Sequence, residues 1–245
     1  MTVMPSPLLP ALVAPSTQQL LPTVRTELLC AGHEVRECMR ALERVGFNLV
    51  GELLKGQGEF MEMEHYPRDD VFDDESHAQY YYHAHRNEAD EHGHFHTFLR
   101  AAGMPSHCRP LDYPYASEPW PSGEEAISHL VGISMDPWGR PIGLFATNRW
   151  VTGETWYPAE DVIGMLSRFS VEHAWPSWPL NRWISAMLRL FRPQIEVLLR
   201  HRDSLVAAWQ LVHPQRDVFE DRRLELTGYL PISIDRWIAE LGKPH

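Results

Sequence analysis

Residues 75–100 read Glu-Ser-His-Ala-Gln-Tyr-Tyr-Tyr-His-Ala-His-Arg-Asn-Glu-Ala-Asp-Glu-His-Gly-His-Phe-His-Thr-Phe-Leu-Arg, and His77, His83, His85, His92, His94 and His96 all fall inside them. Neutral imidazole is a ligand for zinc, iron, copper and nickel, so histidines that converge in space make a metal site. Cys30, Cys38 and Cys108 have no Cys-x-x-Cys spacing, which argues against a thiolate-rich structural zinc site and leaves histidines joined by at most one carboxylate. Three protein ligands would keep a position open for water or substrate. The cofactor expected is therefore a divalent metal ion, zinc or iron. Zinc implies hydrolytic or hydratase chemistry through an activated water, and iron with an open facial triad implies oxygenase chemistry.

Residues 91–99 alternate strictly, with His92, His94, His96 and Phe98 on one face and Gly93, Phe95, Thr97 and Leu99 on the other. Same-face neighbours on a strand are about 6.6 Å apart at Cα, so two adjacent imidazoles can lean onto one ion while the outer pair cannot. The strand should supply two metal ligands, His94 and His96, with a third imidazole from another element, His129 or His85. Should neither serve, His77, His65 or Glu88 come next. Glu91, Glu88 or Glu154 could act as a catalytic base or as the carboxylate that holds a ligand imidazole, with Glu91 preferred and Glu88 behind it, since both lie just before the strand. The plainer reading has the tyrosines packing as core and the histidines bonding to backbone or water.

His94-Phe95-His96, with His129 on a later strand, resembles the zinc-binding strands of α-type carbonic anhydrases, and that resemblance implies His129 as third ligand. The His-x-His is also similar to the first motif of cupins, although Arg100 and Ala101 stand where a cupin carboxylate should fall. Both resemblances cover only these few residues, and neither carries a fold or an activity to the rest of the chain.

The elements that must position these side chains form an α+β pattern: a small antiparallel sheet of at least three strands packed against several helices, with a helical C-terminal third. Leu20, Val24, Leu28, Val35, Met39, Leu42 and Val45 recur at helical spacing over residues 17–45, with Pro22 and Gly32 as points of division or bending. A short helical turn spans 47–54. Asp73, Asp74 and Ser76 are good N-cap residues, so 75–87 is predicted as a helix, with His77, Tyr81, His85 and Glu88 on one stripe and Gln79, His83 and Arg86 opposite. The histidine face of the following strand should turn toward that helix. Residues 101–123 are a Pro-rich connection of the kind that walls a pocket. Residues 125–136 and 142–151 form a hairpin across Asp136-Pro137-Trp138-Gly139. Helices are expected at 158–169, 180–191, 193–212, 217–226 and 233–241. No linker splits residues 1–245, so one domain with a Pro-rich N-terminal arm over about residues 1–16 is the expectation.

The formal charge of -11 opposes attachment to phosphate backbones or anionic lipid, and no apolar run reaches the roughly 20 residues that span a bilayer. Neither nucleic acid nor a membrane is an expected partner. A small-molecule ligand or substrate is, and a homo-oligomer is compatible with the composition. Three unpaired cysteines, and an N-terminal stretch broken by Pro5, Pro7, Pro10 and Pro15 with no basic start, suggest a cytoplasmic setting. Three kinds of function fit: a mononuclear metal enzyme, a non-catalytic module binding a metal, cofactor or aromatic small molecule, and a regulatory partner whose histidines respond to pH.

Overall fold

The structure is a computed structural model that describes residues 9, 11–85 and 90–243. Among these residues a six-stranded antiparallel sheet runs in the order β1-β2-β3-β4-β5-β6, from β1 (Tyr66–Phe72), β2 (Ala78–His83), β3 (Gly93–Arg100), β4 (Ile127–Met135) and β5 (Pro141–Thr147) to β6 (Leu226–Pro231). Helices α1 (Pro22–Glu43) and α2 (Leu49–Leu54) precede the sheet; α3 (Arg149–Thr152), α4 (Ala159–Met165), α5 (Trp178–Leu190) and α6 (Arg192–Val212) intervene between β5 and β6, and α7 (Ile234–Leu241) follows. The α+β reading with a helix-rich C-terminal part describes this fold.

One face of the sheet supplies Ala78, Tyr80 and Tyr82 of β2, Phe95 and Leu99 of β3, Val131, Ile133 and Met135 of β4, and Leu144 and Ala146 of β5 to a continuous core shared with α1, α5 and α6. Phe95 meets Trp183 of α5 at 5.6 Å between ring centroids, and the Tyr80 hydroxyl donates to Asn181 Oδ1 at 2.5 Å. The face of β3 opposite the histidines is thus the core face.

Residues 75–87 do not form the predicted helix. Asp73 does use its carboxylate as a cap would, accepting from the Glu75 and Ser76 amides at 3.1 and 2.8 Å, but it closes the turn between β1 and β2 instead of opening a helix. Three consecutive tyrosines then favour a pleated, two-sided surface, with Tyr80 and Tyr82 on the core side and Tyr81 on the other. The predicted helix at 217–226 is likewise replaced by a 3-10 turn at Val218–Glu220 and by β6. Pro22 begins α1 where its missing N–H costs nothing, and Gly32 does not interrupt the helix. A Cβ at Gly32 would stand 2.8 Å from Ile238 Cδ1, so this glycine admits α7 against α1. Most of the proline-rich arm lies outside the described residues. No helix among them is long and apolar enough to cross a membrane.

Candidate metal centre

The register of β2 on β3 builds the site. Tyr81 lies opposite His96 and His83 opposite His94, so His83, His94 and His96 share the sheet face turned away from the helical core. Ring centroids are 4.6 Å apart for His83 and His94, 5.0 Å for His94 and His96, and 5.2 Å for His83 and His96. One ligand atom from each residue lies within 4.8 Å of the other two. A tetrahedral site with metal–nitrogen bonds of about 2.0–2.1 Å spaces its nitrogens about 3.4 Å apart, so modest side-chain rotations would complete the geometry. Three imidazoles without a thiolate suit zinc or iron. His94 and His96 are buried, and the Nε2 atoms of all three are shielded from solvent.

The other ring nitrogens are held from behind. His94 Nδ1 lies 2.6 Å from Glu91 Oε1, and His96 Nδ1 lies 3.0 Å from His129 Nε2. A carboxylate on Nδ1 keeps the proton there and leaves the Nε2 lone pair to a metal, the arrangement in which ligand histidines are usually fixed. Burial, and next the positive charge of Arg202, pushes His129 down to about 3, so its ring is neutral and can accept a hydrogen bond from His96. The His129 amide donates to Glu154 Oε2 at 2.7 Å, and Thr152 Oγ1 donates to Glu154 Oε1 at 3.3 Å. Burial drives Glu154 up to about 7, against the lowering effects of Arg202, these two hydrogen bonds and Arg149.

Aromatic rings enclose the histidines. Phe145 of β5 stands edge-on to His94 and His96 at 5.1 and 5.4 Å. It reaches them across Gly132 of β4, where a Cβ would come within 2.2 Å of the ring. Tyr81 lies 5.2 Å from His96 and is itself stacked by His65 at 3.6 Å, whose Nδ1 lies 3.0 Å from Asp70 Oδ1. Burial raises the Tyr81 hydroxyl, with smaller contributions from Asp70 and Glu154, so it stays protonated.

The expected residues therefore fall into distinct places. His94 and His96 converge as neighbours on β3. His129 stands behind His96, and Glu91 behind His94. His85 lies beside the cluster, 4.9 Å from His83 and 5.1 Å from His94 between ring centroids. Glu88 lies outside the described residues. His92 precedes β3 and leaves the histidine row, its Nδ1 2.7 Å from the Tyr82 hydroxyl. His77 closes the β1–β2 turn at a φ of 59°. The sequence does not bring His83 into the cluster because a helical wheel sends it away from His85, whereas a strand continues the Tyr81 face through it. The run Tyr80-Tyr81-Tyr82 was the signal that could have shown this.

No curated protein and no solved structure matches the chain. Residues 29–232 match the family described as a domain of unknown function, DUF6969, a span that holds all six strands and every histidine of the cluster. The chain belongs to that family.

Proposed function

We propose that the protein binds one divalent metal ion, zinc or iron, through Nε2 of His83, His94 and His96, and that it uses the ion on a small-molecule substrate. The observation that carries this reading is the convergence of three ligand atoms within 4.8 Å on adjacent strands, two of them backed at Nδ1 by Glu91 and His129. A metal held there would supply Lewis-acid activation of water or a substrate oxygen or, with iron, oxygen chemistry. Glu91 fixes the His94 tautomer. His129, neutral, orients His96, and Phe145, Tyr81 and Phe98 keep bulk water from the imidazoles. His85 is placed to serve as a fourth ligand or to line the remaining position. The free thiols of Cys30, Cys38 and Cys108 fit a cytoplasmic, reducing setting for this activity.

The burial of all three Nε2 atoms favours a second reading, a closed site that stores or is stabilised by its metal without turnover. The experiment is metal analysis of protein purified without a His-tag or nickel column. Each alanine variant of His83, His94 and His96 should hold one equivalent less than wild type, and affinity at the cluster should be about 10–100-fold weaker in Glu91→Gln. His201→Ala serves as control. A metal content equal to wild type in all three alanine variants sinks the assignment. Slow surrender of the ion to a chelator, with no exchange-labile coordination site, favours the closed reading over the catalytic one.

A further inference from the structure

A second cluster of ligand groups lies on the helical side of the fold. His107 and Cys108 sit in the connection between β3 and β4, and Asp161 in the first turn of α4; one ligand atom from each lies within 4.8 Å of the other two. We propose that His107, Cys108 and Asp161 form a separate zinc-type metal site that clips the proline-rich connection to α4.

Nitrogen, sulfur and carboxylate oxygen are together the donor set that zinc, a borderline-soft ion, accepts in tetrahedral sites, with the fourth position open to water. The three donors are already gathered by the backbone around them. The Arg109 amide donates to Asp161 Oδ2 at 3.1 Å, and the Cys108 thiol points at the Asp161 carbonyl at 3.8 Å. The imidazole lies along α4 beside Gly164, one turn beyond Asp161: a Cβ there would come within 4.0 Å of His107 Nε2. His107 is exposed and Asp161 half-buried, so an ion can enter from solvent, while Cys108 forms the floor.

The clip would add to the other moorings of this connection. Further along, Leu111 N–H donates to the Trp156 carbonyl at 2.8 Å and the Tyr113 hydroxyl to Gln210 Oε1 at 2.9 Å. A metal at Asp161 would anchor the same connection closer to its β3 end.

The site is tested with Co2+, because only a thiolate ligand gives the intense sulfur-to-cobalt charge-transfer absorption and the histidine cluster on the sheet holds no sulfur. Titration of the metal-stripped, reduced full chain should produce that band, complete by two equivalents because the histidine cluster takes up Co2+ as well, and added Zn2+ should bleach it. Cys108→Ser should abolish the band, His107→Ala and Asp161→Asn should weaken Co2+ at this site about tenfold or more, and a Cys30→Ser/Cys38→Ser chain should keep it. Should Cys108→Ser fold poorly, the Asp161→Asn titration decides alone. No charge-transfer band in wild type, or one that persists in Cys108→Ser, overturns the proposal. Loss of metal at His94 and His96 leaves the band untouched, so the two sites succeed or fail separately.

Discussion

Glu154 is the clearest case of a single side chain whose environment sets a measurable property. It is buried beneath the His129 strand position, and burial lifts it from 4.5 to about 7. A carboxyl raised on folding takes up a proton in the window between its unfolded and folded values, so ∂ΔG of unfolding with pH is negative there. Its contribution is undiminished below about pH 4.5 and is lost progressively as pH rises through about 7, for a total of roughly 3 kcal/mol. Glu154→Gln can still accept the His129 amide and carries no titrating charge. Chemical denaturation of the two metal-free proteins from pH 5 to pH 8 should show the stability difference moving by roughly 2.5 kcal/mol in favour of the glutamine variant. A difference that stays flat, or moves the other way, means that Glu154 is ionised at little cost.

At the scale of elements, the site depends on how neighbouring strands lend each other room. Gly132 on β4 lies opposite His96 on β3 and opposite Phe145 on β5, and its missing side chain is the channel through which Phe145 reaches the imidazoles. Gly132→Ala should force the ring aside and cost about 1–3 kcal/mol, the usual penalty for overpacking a core position. Phe145→Ala should be costly by itself. In the double variant the alanine methyl finds the vacated space, so the two losses should add to less than their sum by about 1 kcal/mol or more. Strict additivity in urea unfolding would show that Phe145 does not rest on Gly132. The same interplay explains what could be read from the chain beforehand. The alternation through His94 and His96, the Asp136–Arg140 hairpin and the amphipathic helices from α4 to α7 are local patterns, and all appear in the fold. β2 was misread because its cap-like acids and its imidazole spacing imitate a helix start, and only pairing with β1 and β3 exposes the tyrosine run as a strand. β6 was misread for a related reason: its partner β5 lies beyond α3 to α6 in the chain, so nothing nearby marks it. The candidate pair on β3 is therefore legible in the sequence, while the nearness of His83, which needs the β2–β3 register, is not.

For the whole molecule, the position of the histidines in the middle of the sheet would tie the proposed metal binding to global stability. β2 and β3 carry the cluster on one face and Tyr80, Tyr82, Phe95 and Leu99 on the other, inside the same hydrophobic core that holds α1, α5, α6 and α7 together. An ion that binds only the folded chain stabilises it by RT ln(1 + [M]/Kd), about 2.7 kcal/mol when free metal is 100-fold above Kd. For a chain of this size each kcal/mol moves Tm by about 2–4 °C, so removal of the metal should lower Tm by roughly 5–10 °C. Because the ligand strands cannot separate without opening the core, the whole unfolding transition should move, with no new low-temperature step. Each further tenfold in free metal should add about 1.4 kcal/mol. In His94→Ala the response should shrink to whatever the His107, Cys108 and Asp161 clip supplies, and in a chain that also carries Cys108→Ser it should vanish. Calorimetry at several buffered metal concentrations reads all of this in one series. A Tm that ignores metal in wild type, or that responds equally in the doubly substituted chain, would leave the histidine cluster as a packing feature of the sheet.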